Sequence, residues 1–300
     1  APASVTLTAN PTDPVAGAAT TLTATVRDAS NNPVPNTSVT FTIVNGNGSL
    51  AQVTGTTDAN GVVTVEYTTH TTVETATIKA AVTGSNPEVA DTATVTSIAG
   101  PAARLSFGVQ PSSAAAGATI SPAVTVRIED ANGNLTTSTA TVTLAIGTNP
   151  SGGTLSGTTS MAAVGGVATF SDLSINNAGL GYTLTAASAP LTGATSNPFN
   201  IGAGAPASVT LTANPTDPVA GAETTLTATV RDASNNVVPN TSVTFSVETG
   251  NGSLAELTGT TDANGVVTVA YTTHTTVETA TIKAAVTGSN PEVADTVDVT

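Results

Sequence analysis

The chain has 300 residues and a net charge of −14, yet only 9% of its residues are charged, with six Lys and Arg, two His, no Cys and no Trp. The lack of Cys excludes a disulfide framework and thiol catalysis. So acidic a chain cannot neutralise a phosphate backbone or an anionic membrane surface, so no nucleic-acid partner is expected. No stretch is apolar for long enough to form a transmembrane helix, so no direct membrane insertion is expected either. About a fifth of the residues are Thr, Val is also abundant, and aromatics are scarce. β-branched residues stiffen at χ1 and favour strands, so the composition predicts an all-β protein.

Residues Ala1–Thr96 return as Ala205–Thr300 without gaps and with about a dozen substitutions. A different segment of similar length lies between them. We therefore divide the chain at 1–97 (first A module), 98–203 (B module) and 204–300 (second A module). Nearly all the net charge falls in the A modules, and B is close to neutral. Repetition on this scale marks an array, which supplies reach or multivalency rather than chemistry. The opening shows no signal-peptide pattern, and Ala1 matches the internal Ala205. The expectation is a fragment of a larger secreted protein whose secretion and anchoring signals lie elsewhere.

In chain order, apolar and polar residues alternate with period two in Val5–Ala9, Leu22–Val26, Val39–Ile43, Val63–Tyr67, Ala76–Ala80 and Ala93–Val95. Each run predicts a strand with one buried face. About seven such strands suit two antiparallel sheets packed face to face. Between them, Asn10–Pro14 and Asn32–Asn36 are Pro-punctuated loops. Asp58-Ala-Asn60-Gly61 predicts a tight hairpin in which Asn60 and Gly61 both take positive φ. In B, the runs are Leu105–Val109, Val124–Ile128, Val142–Ile146, Val167–Phe170, Tyr182–Ala186 and Phe199–Ile201, with a turn at Glu129–Asn134. Returning to A, the outward Val44, Glu66 and Thr94 become Glu248, Ala270 and Asp298 in the second copy, while the inward Ile43 and Ala93 become Val247 and Val297. Polarity changes only where solvent is expected. The joints, Ser97–Ala103 and Ile201–Ala207, are short and restricted by proline, although the paired Gly202 and Gly204 are expected to loosen the second. Each module should be on the order of 40 Å long.

Ser4–Ala9, Leu22–Ala29, Pro33–Asn36, Val39–Phe41, Gly48–Leu50 and Thr57–Val62 together resemble the bacterial Ig-like group 1 module of the invasin/intimin type, over all of both A modules. Gln110–Pro111, Ser121–Val126, Asp130–Asn134, Gly152–Thr158 and Gly181–Ala186 in B resemble another Ig-like repeat of large bacterial surface adhesins. The resemblance implies three tandem Ig-like β-sandwiches in an elongated rod, extracellular or on the cell surface. Such modules mostly act as spacers in stalks, and binding sits in a terminal domain that nothing here resembles.

Few residues carry chemistry. His70 and His274 lie in matching Thr-Thr-His-Thr-Thr loops with Glu74 as the only nearby acid in the first copy, which suits loop histidines rather than a nucleophilic triad, so no catalytic residue is expected. Asp28, Asp58 and Asp130 with neighbouring Asn are candidates for Ca²⁺, but the spacing of a calcium loop is absent and acids in such turns more often close the turn itself. No cofactor is expected. Lys79 and Lys283 fall on an outward face and read as solvated lysines, not as partners in an isopeptide bond. Asn36, Asn47, Asn134, Asn240 and Asn251 fit the glycosylation sequon. Tyr182, after Gly181, fits the tyrosine corner of Ig-type sandwiches.

The expected function is a non-enzymatic structural repeat region, the stalk or extender of an adhesin or part of an extracellular fibre. Its expected partners are neighbouring repeats and, in a fibre, other copies. The alternatives are a self-assembling filament subunit and a binding module for a host protein or glycan.

Overall fold

A computed structural model describes all residues, 1–300. In the first A module the alternating runs form β1 (Ser4–Asn10), β2 (Ala19–Arg27), β3 (Ser38–Asn45), β4 (Ser49–Leu50), β5 (Thr54–Thr56), β6 (Val62–Thr68), β7 (Thr75–Val82) and β8 (Ala90–Thr96). They assemble into two four-stranded antiparallel sheets, β1-β2-β6-β4 and β5-β3-β7-β8. Register places like with like across the sheet: Val5 opposes Val26, and Leu22 opposes Val65. The apolar faces close on one another around Leu22, Val26, Phe41, Tyr67 and Ile78, all fully buried. Val44, Glu66 and Thr94 face solvent, while Ile43 and Ala93 pack half-buried against the core. The second A module repeats this arrangement strand for strand.

The B module is also a sandwich with its own core, built around Ile128, Phe170, Leu173, Ile175 and Tyr182. One expected strand is broken. Residues Gly179–Tyr182 pair with Phe199–Gly202, whereas Leu184–Ala187 pair with Thr141–Ile146 in a different sheet. The chain crosses between sheets at Thr183, which is pinned to the adjacent loop: Oγ1 accepts from Thr148 N–H at 2.8 Å, and the carbonyl accepts from Gly147 N–H at 2.8 Å. Tyr182 ends the first piece and donates its hydroxyl to the Asn177 carbonyl at 2.9 Å, five residues upstream, which is the geometry of a tyrosine corner.

The Asp58–Gly61 turn also differs from expectation. Gly61 takes φ 70°, but Asn60 is not in the positive-φ region. The turn does not close a hairpin, because β5 and β6 belong to different sheets. Asp58 Oδ1 accepts from Asn60 N–H (2.8 Å) and Val62 N–H (2.9 Å), so the side chain closes the turn and Asn60 need not adopt the strained conformation. The free edge of β1 is managed too: the Leu7 N–H donates to Asp91 Oδ2 on β8 at 2.9 Å, which removes a donor from the edge and ties the two sheets together.

Three separate cores follow one another along the rod. Truncating a fully buried aromatic costs about 3–5 kcal/mol. Phe170→Ala is therefore expected to unfold B at lower denaturant while both A modules are still folded, as read by hydrogen exchange resolved along the chain.

Candidate functional site at the inter-module joints

The residues that could carry chemistry are dispersed. Both histidines are half-buried and close their own loops: His70 Nδ1 accepts from Thr72 N–H at 3.1 Å, and His274 Nδ1 from Thr276 N–H at 3.2 Å. Glu74 turns away to Asn47, accepting from its N–H at 2.6 Å and its Nδ2 at 2.7 Å. These two donors hold its carboxyl below the usual range, and Glu278 repeats the arrangement with Asn251. Lys79 pairs with Glu88 at 2.8 Å on the surface, and Lys283 with Glu292 at 2.7 Å. No three His, Asp or Glu side chains converge as metal ligands would. Asp28, Asp58 and Asp130 sit in separate turns, each accepting backbone N–H groups that a cation would have to displace. Of the sequon residues, Asn36, Asn47, Asn240 and Asn251 are exposed.

Asn134 is not exposed, and that corrects its reading as a sugar acceptor. It is 7% exposed and lies between the first A module and B. Its Nδ2 donates to the Thr71 carbonyl (2.8 Å) and to Asp130 Oδ2 (2.9 Å), and its Oδ1 accepts from Val73 N–H (2.9 Å). One side chain thus holds a carbonyl and an N–H two residues apart on the neighbouring module. Asp130 orients it. Asp130 Oδ1 accepts from the N–H groups of Asn132 and Asn134 (2.9 Å each), and Oδ2 accepts from the joint's own Gly100 N–H at 2.8 Å.

The second joint repeats this arrangement. Asn236 Nδ2 donates to the Asn176 carbonyl (2.9 Å) and to Asp232 Oδ2 (2.8 Å), and its Oδ1 accepts from Ala178 N–H (3.0 Å). Asp232 Oδ2 accepts from Gly204 N–H at 2.8 Å. The two joints, between modules of unrelated sequence, are held by one device.

The connections themselves are bonded rather than loose. Ile98 bridges Val15 in parallel, donating to the Pro14 carbonyl (3.0 Å) and accepting from Ala16 N–H (2.9 Å). Ala103 N–H donates to the Glu129 carbonyl at 2.8 Å. Glycine does not loosen the second joint: the Gly202 carbonyl accepts from Ala116 N–H (2.8 Å) and Gly204 is held by Asp232.

A family model described as bacterial Ig-like domain (group 1) matches residues 4–98 and 208–300. The chain belongs to that family. The B module lies outside the matched residues. Among solved structures, the Escherichia coli adhesin FdeC is similar at 23% identity and a TM-score of 0.63, over 98% of this chain and 96% of that one. Yersinia pseudotuberculosis InvD is similar at 18% identity and a TM-score of 0.52, over 98% and 96%. Invasin, a bacterial integrin-binding protein, is similar at 19% identity and a TM-score of 0.47, over 99% of this chain and 60% of that one. Among curated proteins, none matches the sequence.

Both group 1 modules and B carry the signal for the joint: an Asp-Ala turn with Asn four residues after the Asp, as in Asp28-Ala-Ser-Asn-Asn32, Asp130-Ala-Asn-Gly-Asn134 and Asp232-Ala-Ser-Asn-Asn236. The similar Asp58-Ala-Asn-Gly-Val62 ends in Val and clasps nothing. Read as turn chemistry alone, the spacing does not reveal that the last Asn reaches a second module.

Two outcomes are expected for the first joint. Each hydrogen bond contributes about 0.5–1.5 kcal/mol, so Asn134→Ala should remove about 1–3 kcal/mol of coupling between the group 1 module and B, with Val73 N–H losing protection in hydrogen exchange. As for pH, burial alone would raise the Asp130 carboxyl, but the donors from Asn134, Gly100 and Asn132 outweigh it and lower it from 3.8 to about 2. The folded value lies below the unfolded one, so the clasp is at full strength above the unfolded value and weakens as pH falls toward 2. In an NMR titration, the Gly100 amide should hold its shift down to about pH 4 and move below it.

Proposed function

We propose that this chain is a spacer segment of a bacterial surface adhesin or extracellular fibre, non-enzymatic and displayed outside the cell. The observation that carries this reading is the duplicated Asp–Asn clasp, which opposes bending at both joints, so that module number translates into reach. The fold shared with an adhesin, FdeC, fits this setting. Exposed Thr6 and Thr8 on β1, Thr64 and Glu66 on β6, and the Asp91 tie on the β1 edge favour modules that stay apart from their neighbours laterally.

Negative-stain electron microscopy over a concentration series tests this. Isolated, straight rods about 120–130 Å long, three modules at the strand rise used above, are the expected result at every concentration. Ordered bundles or fibres growing with concentration would make the modules assembly units instead and would overturn the spacer reading.

A further inference from the structure

The first A module carries the same turn as the second, Asp-Ala-Ser-Asn-Asn, at Asp28–Asn32. Asp28 Oδ1 closes it identically, accepting from Ser30 N–H (2.9 Å) and Asn32 N–H (2.8 Å). In the second module this turn is docked on B: Asp232 is buried and Asn236 half-buried, whereas Asp28 is half-buried and Asn32 exposed. The opposite end shows the converse. The Thr71–Val73 loop that receives Asn134 recurs unchanged as Thr275–Val277, where Val277 is 81% exposed against 41% for Val73.

We propose that both outer ends of this chain are half-joints for one kind of partner, an Ig-like sandwich of the B type. The Asp28–Asn32 turn takes the loop equivalent to Asn176–Ala178, with Asn32 bridging its carbonyl and N–H and Asp28 Oδ2 accepting from a connecting glycine. The Thr275–Val277 loop takes the turn equivalent to Asp130–Asn134. Each half already has its mate within the chain: an identical turn is docked at Asp232–Asn236, and an identical loop is docked at Thr71–Val73. The clasp touches backbone atoms of its partner, so it demands a loop shape rather than particular side chains. A few hydrogen bonds hold two modules only when a peptide link supplies the effective concentration, so these half-joints act in covalently continuous A–B arrays. The half-joints hold whether or not the array serves as a stalk.

The test lengthens the full chain by a copy of residues 98–204 placed ahead of Ala1, which reproduces the Gly204–Ala205 junction. Spin labels on cysteines introduced either side of the new joint report its distance distribution, with the natural Asn236 joint labelled in parallel as the standard. A distribution as narrow as the standard, broadened by Asn32→Ala, is the expected result. A broad distribution with Asn32 intact, or a narrow one that Asn32→Ala leaves unchanged, overturns the proposal. Asn32 is exposed in the chain without the added module, so an unchanged melting temperature of the unextended Asn32→Ala variant separates loss of docking from loss of folding.

Discussion

The rod depends on a buried carboxylate that is satisfied entirely by N–H donors. At each joint one Asp oxygen is spent on its own turn and the other on the connecting glycine and on the amide of an Asn four residues later. Burying a carboxylate without partners is costly. Here the donors are in place, and bonds to a charged acceptor are shorter and stronger than neutral ones. The fixed Asp in turn fixes the Asn rotamer, so the Asn amide meets the neighbouring module already oriented and little side-chain freedom is lost on docking.

The Asn amide meets a carbonyl and an N–H of the backbone, so the clasp itself reads the shape of the receiving loop rather than its side chains. That explains how two module types with different sequences and different sheet arrangements alternate in one chain with the same joint chemistry. The clasp is made of hydrogen bonds alone, in a chain that has no cysteine. The cores, by contrast, are private to each module, so stability is local while geometry is shared.

Much of the sandwich was legible in the period-two alternation, because one buried face per strand is a strong constraint and the substitutions between the A copies respect it at Val44, Glu66 and Thr94. The short strands Ser49–Leu50 and Thr54–Thr56 were not, since two or three residues carry no period. Asn60-Gly61 read as a hairpin because the pair favours one; the Asp58 side chain closed the turn by another route. Tyr182–Ala186 read as one strand because alternation cannot register a change of sheet. Asn134 misled most: a sequon is a local pattern, and burial against a second module is a long-range fact. The expected looseness at Gly202 and Gly204 failed for the same reason, because the groups that hold them lie outside the joint.

The clasp makes one Asn on each Asp-turned loop the side chain on which the stiffness of the joint turns. The chain has no cysteine of its own, so Thr94→Cys and Leu180→Cys, both at exposed positions on either side of the first joint, would carry nitroxide labels without side products. Pulsed electron-spin resonance on this pair, with and without Asn134→Ala, is the direct measurement. One narrow distance distribution that broadens markedly in the variant is the predicted result. A distribution already broad in the native chain, or one equally narrow without Asn134, would contradict the account.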